Sequence, residues 1–549
     1  MTKSGRASRR NVLKGIGLAA LGAAPAAGLM EALISNAAAQ QAVNDVASKA
    51  NKGGQLTLAI AREPPTLVSF WTPDTQASTI SPKITDGLLT FDLDLKPIPQ
   101  LATSWTVSPD GKEYTFNLRK GVKWHDGKPF TARDVEFSLK LAGEWHTRTR
   151  LTLAKVTEYV IPDDHTIVLR LSAPAPYLLI GLIPNEAPIL PRHLFEGTDV
   201  IKNRHNFAPV GTGPFKFEKW ERGNYISVVR NEDYWGDKPA NLDRIIFRII
   251  PDASARGVAL ETGEVDIAAW NPIPITDLPR LSNYPHLAVN REGYNYRPSP
   301  FSIEFNLTNP YLKDIRVRHA FAHALDIKSI VKVIFFDEAI PHVTPVSPFS
   351  KGYFKDISGY AFDIDKANKL LDEAGFPRKD DGIRFKLAFR HVGDRSEFRP
   401  LADFIKASLR RVGIDLTVVV IDEAAWGPIY QAQKWDTHVT IATNMIDPAL
   451  GVARFYQTPD PKAKTKQHAS GYSNPEVDAL LAKALDENDD AKRFELWHRF
   501  QDIAVRDLPR LYLVTVKNYT VYNKRAKNFT EHIDGVRGSF VGTYLEAKS

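Results

Sequence analysis

Residues 242–270 read as strand, helix and strand in immediate succession. "LDRIIFRII" is a β-branched run, and "ASARGVALETGEVDIAAW" carries a helix into a second short strand. A helix tied to strands by connections this short must lie on a face of the sheet those strands form, which points to α/β architecture. The alternation returns downstream. "DIRVRHAFAHALDIKSIVKVIF" (314–335) carries apolar residues at the spacing of one long helix. "DIDKANKLLDEAGF", "RFKLAFR" and "FRPLADFIKASLRRVGIDLTVVVID" then repeat helix and strand. Residues 474–508 are amphipathic helix, and "RLYLVTVKNYTVYN" returns to strand. Two blocks emerge, roughly 208–300 and 301–510, each expected to build a parallel or mixed sheet. A chain of 549 residues is too long for one ordinary core, so two or three domains are expected. No repeat of 20–50 residues is visible.

A denser stretch precedes these blocks: "DGKEYTFNLRKGVKWHDGKPFTARDVEFSLKLA", residues 110–142. It reads as two short strands around turns at Asp110-Gly111 and Asp126-Gly127, followed by a helix. Thr131, with Asp134 three residues on, is an N-cap signature. His125 and Asp126 have the look of catalytic residues, but Asp-Gly at a hairpin tip is explained by turn geometry, and a structural role is expected.

The N-terminus reads as an export signal. "SRRNVLK" supplies a paired-arginine basic region, "IGLAALGAAPAAGLM" an apolar core, and "NAAAQ" small residues for cleavage before Gln40. Arg9-Arg10 resembles the twin-arginine signal, with Val12 where that motif favours Phe. A membrane anchor would need about 20 apolar residues, and Pro25 and Glu31 interrupt this one. Residues 40–53 are a small, polar lead-in. Removing residues 1–39 takes most of the excess positive charge away, from +7 to +3. A balance so near neutral leaves no electrostatic footprint for nucleic acid. The chain has no cysteine, so it has neither a disulfide framework nor a thiol nucleophile nor a lipid-attached Cys. A free protein in the periplasm is expected.

The sequence contains no G-x-S-x-G elbow, no P-loop and no H-E-x-x-H. "GTGPFK" (211–216) lacks a third glycine, and Pro214 has no backbone donor to offer a phosphate. "SIVK" (329–332) fits S-x-x-K but lies within a helical pattern. His319 and His323 stand four apart, yet no third ligand accompanies them. No metal, cofactor or catalytic set is expected. The ten Trp are the notable surplus, and Trp71, Trp270, Trp426 and Trp435 stand beside breaks, where rings can line a cleft as well as fill a core.

"PQLATSWTVSPDGKEYTFNLRKGVKWHDGKPFTARDVEFSLK" resembles the signature segment of the family 5 extracellular solute-binding proteins, the peptide, opine and nickel binders of ABC importers. The resemblance continues through "PVGTGPFKFEKWERGNYISVVRNEDYWGDKPANLDRIIFRIIPD", "LETGEVDIA", "FNLTNPYLKDIRVRHAFAHALD" and "GYSNPEVDALLAKAL", in family order from about residue 54 to 515. It implies a two-lobe α/β fold of the periplasmic-binding-protein type (type II, cluster C-like) with an inserted small α/β domain. Lobe I would take 54–85, 208–300 and 511–549, the insertion 86–207, and lobe II 301–510, with crossovers near 300 and 510. It further implies a monomer that closes on a small-molecule ligand by hinge motion and delivers it to membrane permease subunits, without turnover. The segment around His125 would be scaffold.

By the same resemblance, the ligand pocket draws on Glu63, Ser69 and Trp71 after the first strand, on Trp270, and on Tyr294 and Asn295 at the approach to lobe II. Trp435, Asn444 and Asp447 complete it. Peptide-binding members commonly carry an acidic residue four positions before the Pro that is Pro448 here, where it grips the ligand's amine; this chain has Asn444. An amide lacks the charged contact, whose hydrogen bonds contribute about 1.5–3 kcal/mol against roughly 1 for neutral ones. An oligosaccharide or opine-like conjugate is therefore placed slightly ahead of an oligopeptide or dipeptide, with a metal complex behind. A secreted hydrolase using Glu63, Asp266 or Asp447 is the rival from another class.

Overall fold

The computed structural model describes residues 53–392, 397–443, 445–459 and 468–547. The export-signal and most of the lead-in residues, and Asn444, lie outside the described residues. Two large mixed sheets organise the chain. The first has seven strands in the order Leu287–Asn290, Thr520–Asn523, Ile267–Ala268, Gln55–Ile60, Arg244–Ile249, Tyr225–Arg230 and Phe215–Glu221. Gln55–Ile60 is central and runs parallel to both of its neighbours, with Gln55 opposite Arg244 and Leu58 opposite Ile267. The remaining pairs are antiparallel. The expected strand–helix–strand unit is present: helix Ala253–Glu261 connects Arg244–Ile249 to Ile267–Ala268. Leu56, Leu58, Ile60, Ile226, Val228, Ile245 and Phe247 form one core.

The second sheet has six strands, ordered Ala339–Pro341, Arg510–Val516, Ser299–Phe305, Thr437–Ile441, Phe385–Val392 and Ile414–Ile421. Phe385–Val392 is parallel to both neighbours. Helices Phe398–Arg410 and Glu423–Gln431 supply the crossovers, and Phe301, Ile303, Leu387, Phe389, Leu401 and Ile405 share its core. The chain passes between the sheets at 291–298 and again at 517–519. Arg510–Val516 pairs with Ser299–Phe305, so the second crossing falls after this strand rather than near 510, and residues 511–516 lie with the second sheet. The first crossing is held against the C-terminal turn: Gly293 has φ 77°, and a Cβ there would stand 2.2 Å from the Gly535 Cα.

A four-stranded antiparallel sheet, Ala102–Val107, Glu113–Leu118, Thr166–Leu171 and Val156–Asp163, comes from the early insertion. Its core residues Tyr114, Phe116, Ile167 and Leu169 belong to one apolar cluster with Trp497 and Phe500 of helix Asp490–Asp507. Two single helices expected from periodicity are each divided. Residues 314–335 form Ile315–Ala324 and Ile327–Ile334, because Leu325 is extended and Asp326 caps the second helix through the Ser329 N–H and hydroxyl. The 474–508 stretch divides at 487–489, where Asp489 caps the helix that follows. Residues 178–183 contain a 3₁₀ turn at Leu179–Gly181.

His125 and Asp126 sit where turn geometry placed them. His125 Nδ1 accepts the Gly211 N–H at 3.2 Å and its Nε2 faces the Gly213 carbonyl at 3.0 Å. Gly211 itself presses on helix Thr75–Ile84: a Cβ there would lie 1.8 Å from the Ile84 carbonyl oxygen. The hairpin is a bracket that fixes 211–213 against the first lobe.

Candidate ligand-binding site

The parallel strands Gln55–Ile60 and Ile267–Ala268 both end toward the same crevice, the position at which open α/β sheets receive ligands. A cavity of about 770 Å³ lies there. Ala61, Arg62, the first turn of helix Thr75–Ile84 and residues 269–276 form its wall on the first sheet's side; Val333, Ile334, Phe336 and Pro400 form the opposite wall. Ser299, next to the first crossing, and Asn518, within the second, also line it.

Trp270 is the organising residue. It follows the short strand directly and takes φ 64°, with Asn271 at φ 53°, backbone rarely adopted by side chains of this size. Hydrogen bonds hold this turn in place. Asn271 exchanges backbone and side-chain bonds with Tyr519 (3.1 and 2.9 Å), and its amide donates to Asn518 Oδ1 at 3.1 Å. The Trp270 N–H donates to the Tyr294 hydroxyl at 3.1 Å, which in turn lies 2.5 Å from Thr520 Oγ1. One wall of the cleft is thereby tied to both crossings. The Tyr294 ring meets the indole edge-on at 4.7 Å, and the Arg537 guanidinium covers it at 3.9 Å.

The other expected residues are distributed. Tyr294 and the exposed Asn295 line a second cavity of about 180 Å³ with Pro298, Phe349 and Asn518. Trp71 packs beside Val68, Phe70 and Phe195, its indole N–H buried without a partner. Ser69 is wholly buried and bonded to Ser81, a core position rather than a wall of either cavity. Glu63 accepts from the Trp220 indole at 2.9 Å and faces Arg222. Trp435 is buried in a ring cluster, stacked on Tyr430 at 5.5 Å and edge-on to His438 at 5.0 Å. Asp447 accepts from the Ala449 N–H and from Arg493 at 2.6 Å. Asp266 accepts from the Thr57 N–H and pairs with Arg525. The three carboxylates offered for hydrolysis are thus each engaged by separate partners. Among the described residues no group of three or more His, Cys, Asp or Glu is arranged to hold a metal. His319 and His323 are engaged by the Arg506 and Ala361 carbonyls.

Arginines dominate the polar interior near the crossings, and sequence inspection gave no sign of this. Arg148 forms a bidentate pair with Glu186 (2.8 and 2.6 Å). Arg510 donates to Glu304 at 2.7 Å and to Ser302; His438 and the Tyr430 hydroxyl also contact Glu304, at 3.0 and 2.9 Å. Burial alone would raise both carboxyls, but the guanidiniums outweigh it and hold each at about 2. Asn185 donates to Asp534 at 2.9 Å; burial still pushes that carboxyl up to about 7. Arg148 and Glu186, like Arg510 and Glu304, stand far apart in the chain, so only the fold gives each guanidinium its carboxylate.

A crevice between two α/β sheets linked by paired crossings defines a two-lobe solute-binding protein. The family model for bacterial extracellular solute-binding proteins, family 5 Middle, matches residues 96–463. The chain is 30% identical over 475 residues to the glutathione-binding protein GsiB of Pectobacterium atrosepticum, covering 83% of this chain and 87% of that one. The structure of DppA from Helicobacter pylori in complex with the peptide STSA superposes with a TM-score of 0.77 at 27% identity, covering 91% of this chain and 99% of that one. That of AgaA from A. tumefaciens R10 in complex with agropinic acid gives 0.75 at 27% identity, covering 90% and 99%. The chain belongs to the family 5 bacterial extracellular solute-binding proteins. Proteins of this family are periplasmic binding components of ABC importers, and their work is capture rather than turnover. Among the described residues no helix is long and apolar enough to cross a membrane.

Proposed function

We propose that this chain captures a peptide-like or opine-like solute in the crevice beside Trp270, that its lobes rotate about the two crossings to enclose it, and that permease subunits of an ABC importer receive the closed form. The observation that carries this reading is the Trp270 turn. A strained backbone locked by Asn271, Tyr294, Asn518 and Thr520 puts an aromatic wall at the mouth of a 770 Å³ cavity and couples that wall to the connections between lobes. Trp270, Tyr294 and Asn295 are the residues assigned to the ligand or its approach. The names of related proteins support the choice, since they include a glutathione binder, a binder of the peptide STSA and one of agropinic acid. The protein works as a monomer, exported by the twin-arginine route and cleaved before Gln40.

Native mass spectrometry of protein purified without refolding tests the reading, since an enclosed solute should appear as a stoichiometric mass addition. Titration with glutathione, dipeptides and an oligosaccharide, with scattering recorded at each step, should show a smaller radius of gyration on saturation and no new product. Product release would favour the hydrolase. N-terminal sequencing of the exported protein checks the cleavage site.

A further inference from the structure

The second cavity, of about 180 Å³, lies on the other side of the crossings from the crevice. Two adjacent residues establish this. Pro298 lines the second cavity, whereas Ser299, the first residue of its strand, lines the crevice. Successive side chains of extended backbone point to opposite faces. Asn518 of the second crossing borders both spaces and is part of the layer that separates them. Tyr294 belongs to the same layer: it lines the second cavity, while its hydroxyl accepts the N–H of Trp270 on the crevice wall at 3.1 Å.

The walls of this rear cavity come from parts that move relative to one another in the proposed closure. Arg291 directly follows strand Leu287–Asn290 of the first sheet, whereas Ile340 lies on strand Ala339–Pro341 of the second and Phe349 follows it in the same lobe. Bonds between the two sides fix their present spacing. Arg291 donates to Glu338 at 3.2 and 2.5 Å, and the Lys517 N–H and Nζ reach the Glu338 and Asp337 carbonyls at 2.9 and 3.0 Å. A rotation about the crossings that narrows the crevice in front widens the space behind, and one that opens the crevice compresses it. Packed side chains resist compression, so what fills the rear space limits how far the lobes part.

Resting on the solute-binding reading above, we propose that the rear cavity is the clearance into which the lobes open, so that its filling sets the balance of open and closed forms and, through it, solute affinity. The apparent dissociation constant varies inversely with the fraction of molecules in the binding-competent form. A larger side chain in this space is accommodated here and excluded from more open arrangements, whereas a smaller one removes the stop and favours opening. Ile340 and Phe349 are thereby positioning residues for capture, although neither lines the crevice.

Ile340→Trp fills the cavity and Phe349→Ala enlarges it; Ile340→Phe is the milder filling should the indole prevent folding. Isothermal titration of the exported protein with glutathione and L-Ala-L-Ala, paired with X-ray scattering of the solute-free forms, tests the assignment. The filled variant should bind each probe about threefold or more tightly and show a smaller radius of gyration than the wild type; the enlarged variant should show the reverse, by a similar factor. The rank order of the probes should not change. A merely structural role would lower the melting temperature and weaken binding in both variants. Such a parallel loss, or affinities equal to the wild type, overturns the assignment while leaving solute capture intact. If neither probe binds and the purified protein retains no solute, the capture reading falls, and scattering alone decides the cavity: radii shifted in opposite directions support the stop, and equal radii overturn it.

Discussion

The guanidinium carbon of Arg537 sits 3.9 Å from the centre of the Trp270 ring. A cation buried on an aromatic face contributes about 0.5–2 kcal/mol. The edge-on contact with Tyr294 adds about 0.5–1.5 kcal/mol. Trp270→Ala should therefore lower stability by about 1–3 kcal/mol in urea unfolding, and Trp270→Phe by less. If the indole were a passive surface ring, both variants would melt with the wild type.

Glu304 anchors the interior of the second sheet. Glu304→Gln leaves Arg510 buried and unpaired, a loss of about 3–5 kcal/mol. The sign of the acid dependence follows from the depressed carboxyl. Its contribution is complete above the unfolded value of 4.5 and disappears as the pH falls toward about 2. Denaturant midpoints measured below pH 4.5 should thus fall less steeply in the variant.

Asp534 acts in the opposite sense. Burial raises its folded value from 3.8 to about 7, so across that window the folded chain keeps a proton that the unfolded chain has released. Stability from this group is greatest below 3.8 and is lost as the pH rises toward 7. Asp534→Asn keeps an acceptor for Asn185 and should flatten the stability profile between pH 4 and 7; an unchanged profile would place the titration elsewhere.

Gly211→Ala meets backbone rather than a movable side chain, since the new Cβ would lie 1.8 Å from the Ile84 carbonyl oxygen. We expect a loss of about 3 kcal/mol or more in chemical denaturation, at or beyond the upper end of overpacking costs. Burial holds the clamping His125 at about 4, so it stays neutral while the unfolded imidazole titrates near 6.5, and its share of stability is lost as the pH falls through that interval. Nitrogen chemical shifts of the ring should remain those of one neutral tautomer at pH 5.5.

Much of the architecture was legible because it is written in local periodicity and caps. The strand–helix–strand unit at 242–270 and the capped helix after Thr131 both follow from side chains near one another in the chain. The break at Leu325–Asp326 was missed because the apolar spacing continues across it; the Asp326-x-x-Ser329 cap was the available signal. Site residues were harder. Trp270 could be singled out as a ring beside a break, whereas Ser69 and Asp447 look the same in sequence whether they face a ligand or a neighbour such as Ser81 or Arg493. The buried arginine pairs were invisible for a simpler reason: Arg148 and Glu186, and Arg510 and Glu304, meet only through tertiary packing.

Three residues, 517–519, separate a strand of one sheet from a strand of the other. In the proposed closure so short a link would act as a fulcrum: a few degrees of backbone torsion there would scarcely move Trp270 or Tyr294. The same twist is multiplied with distance toward the outermost strands, Phe215–Glu221 and Ile414–Ile421. Paired spin labels on those rims would therefore register the motion that labels beside the pivot would miss.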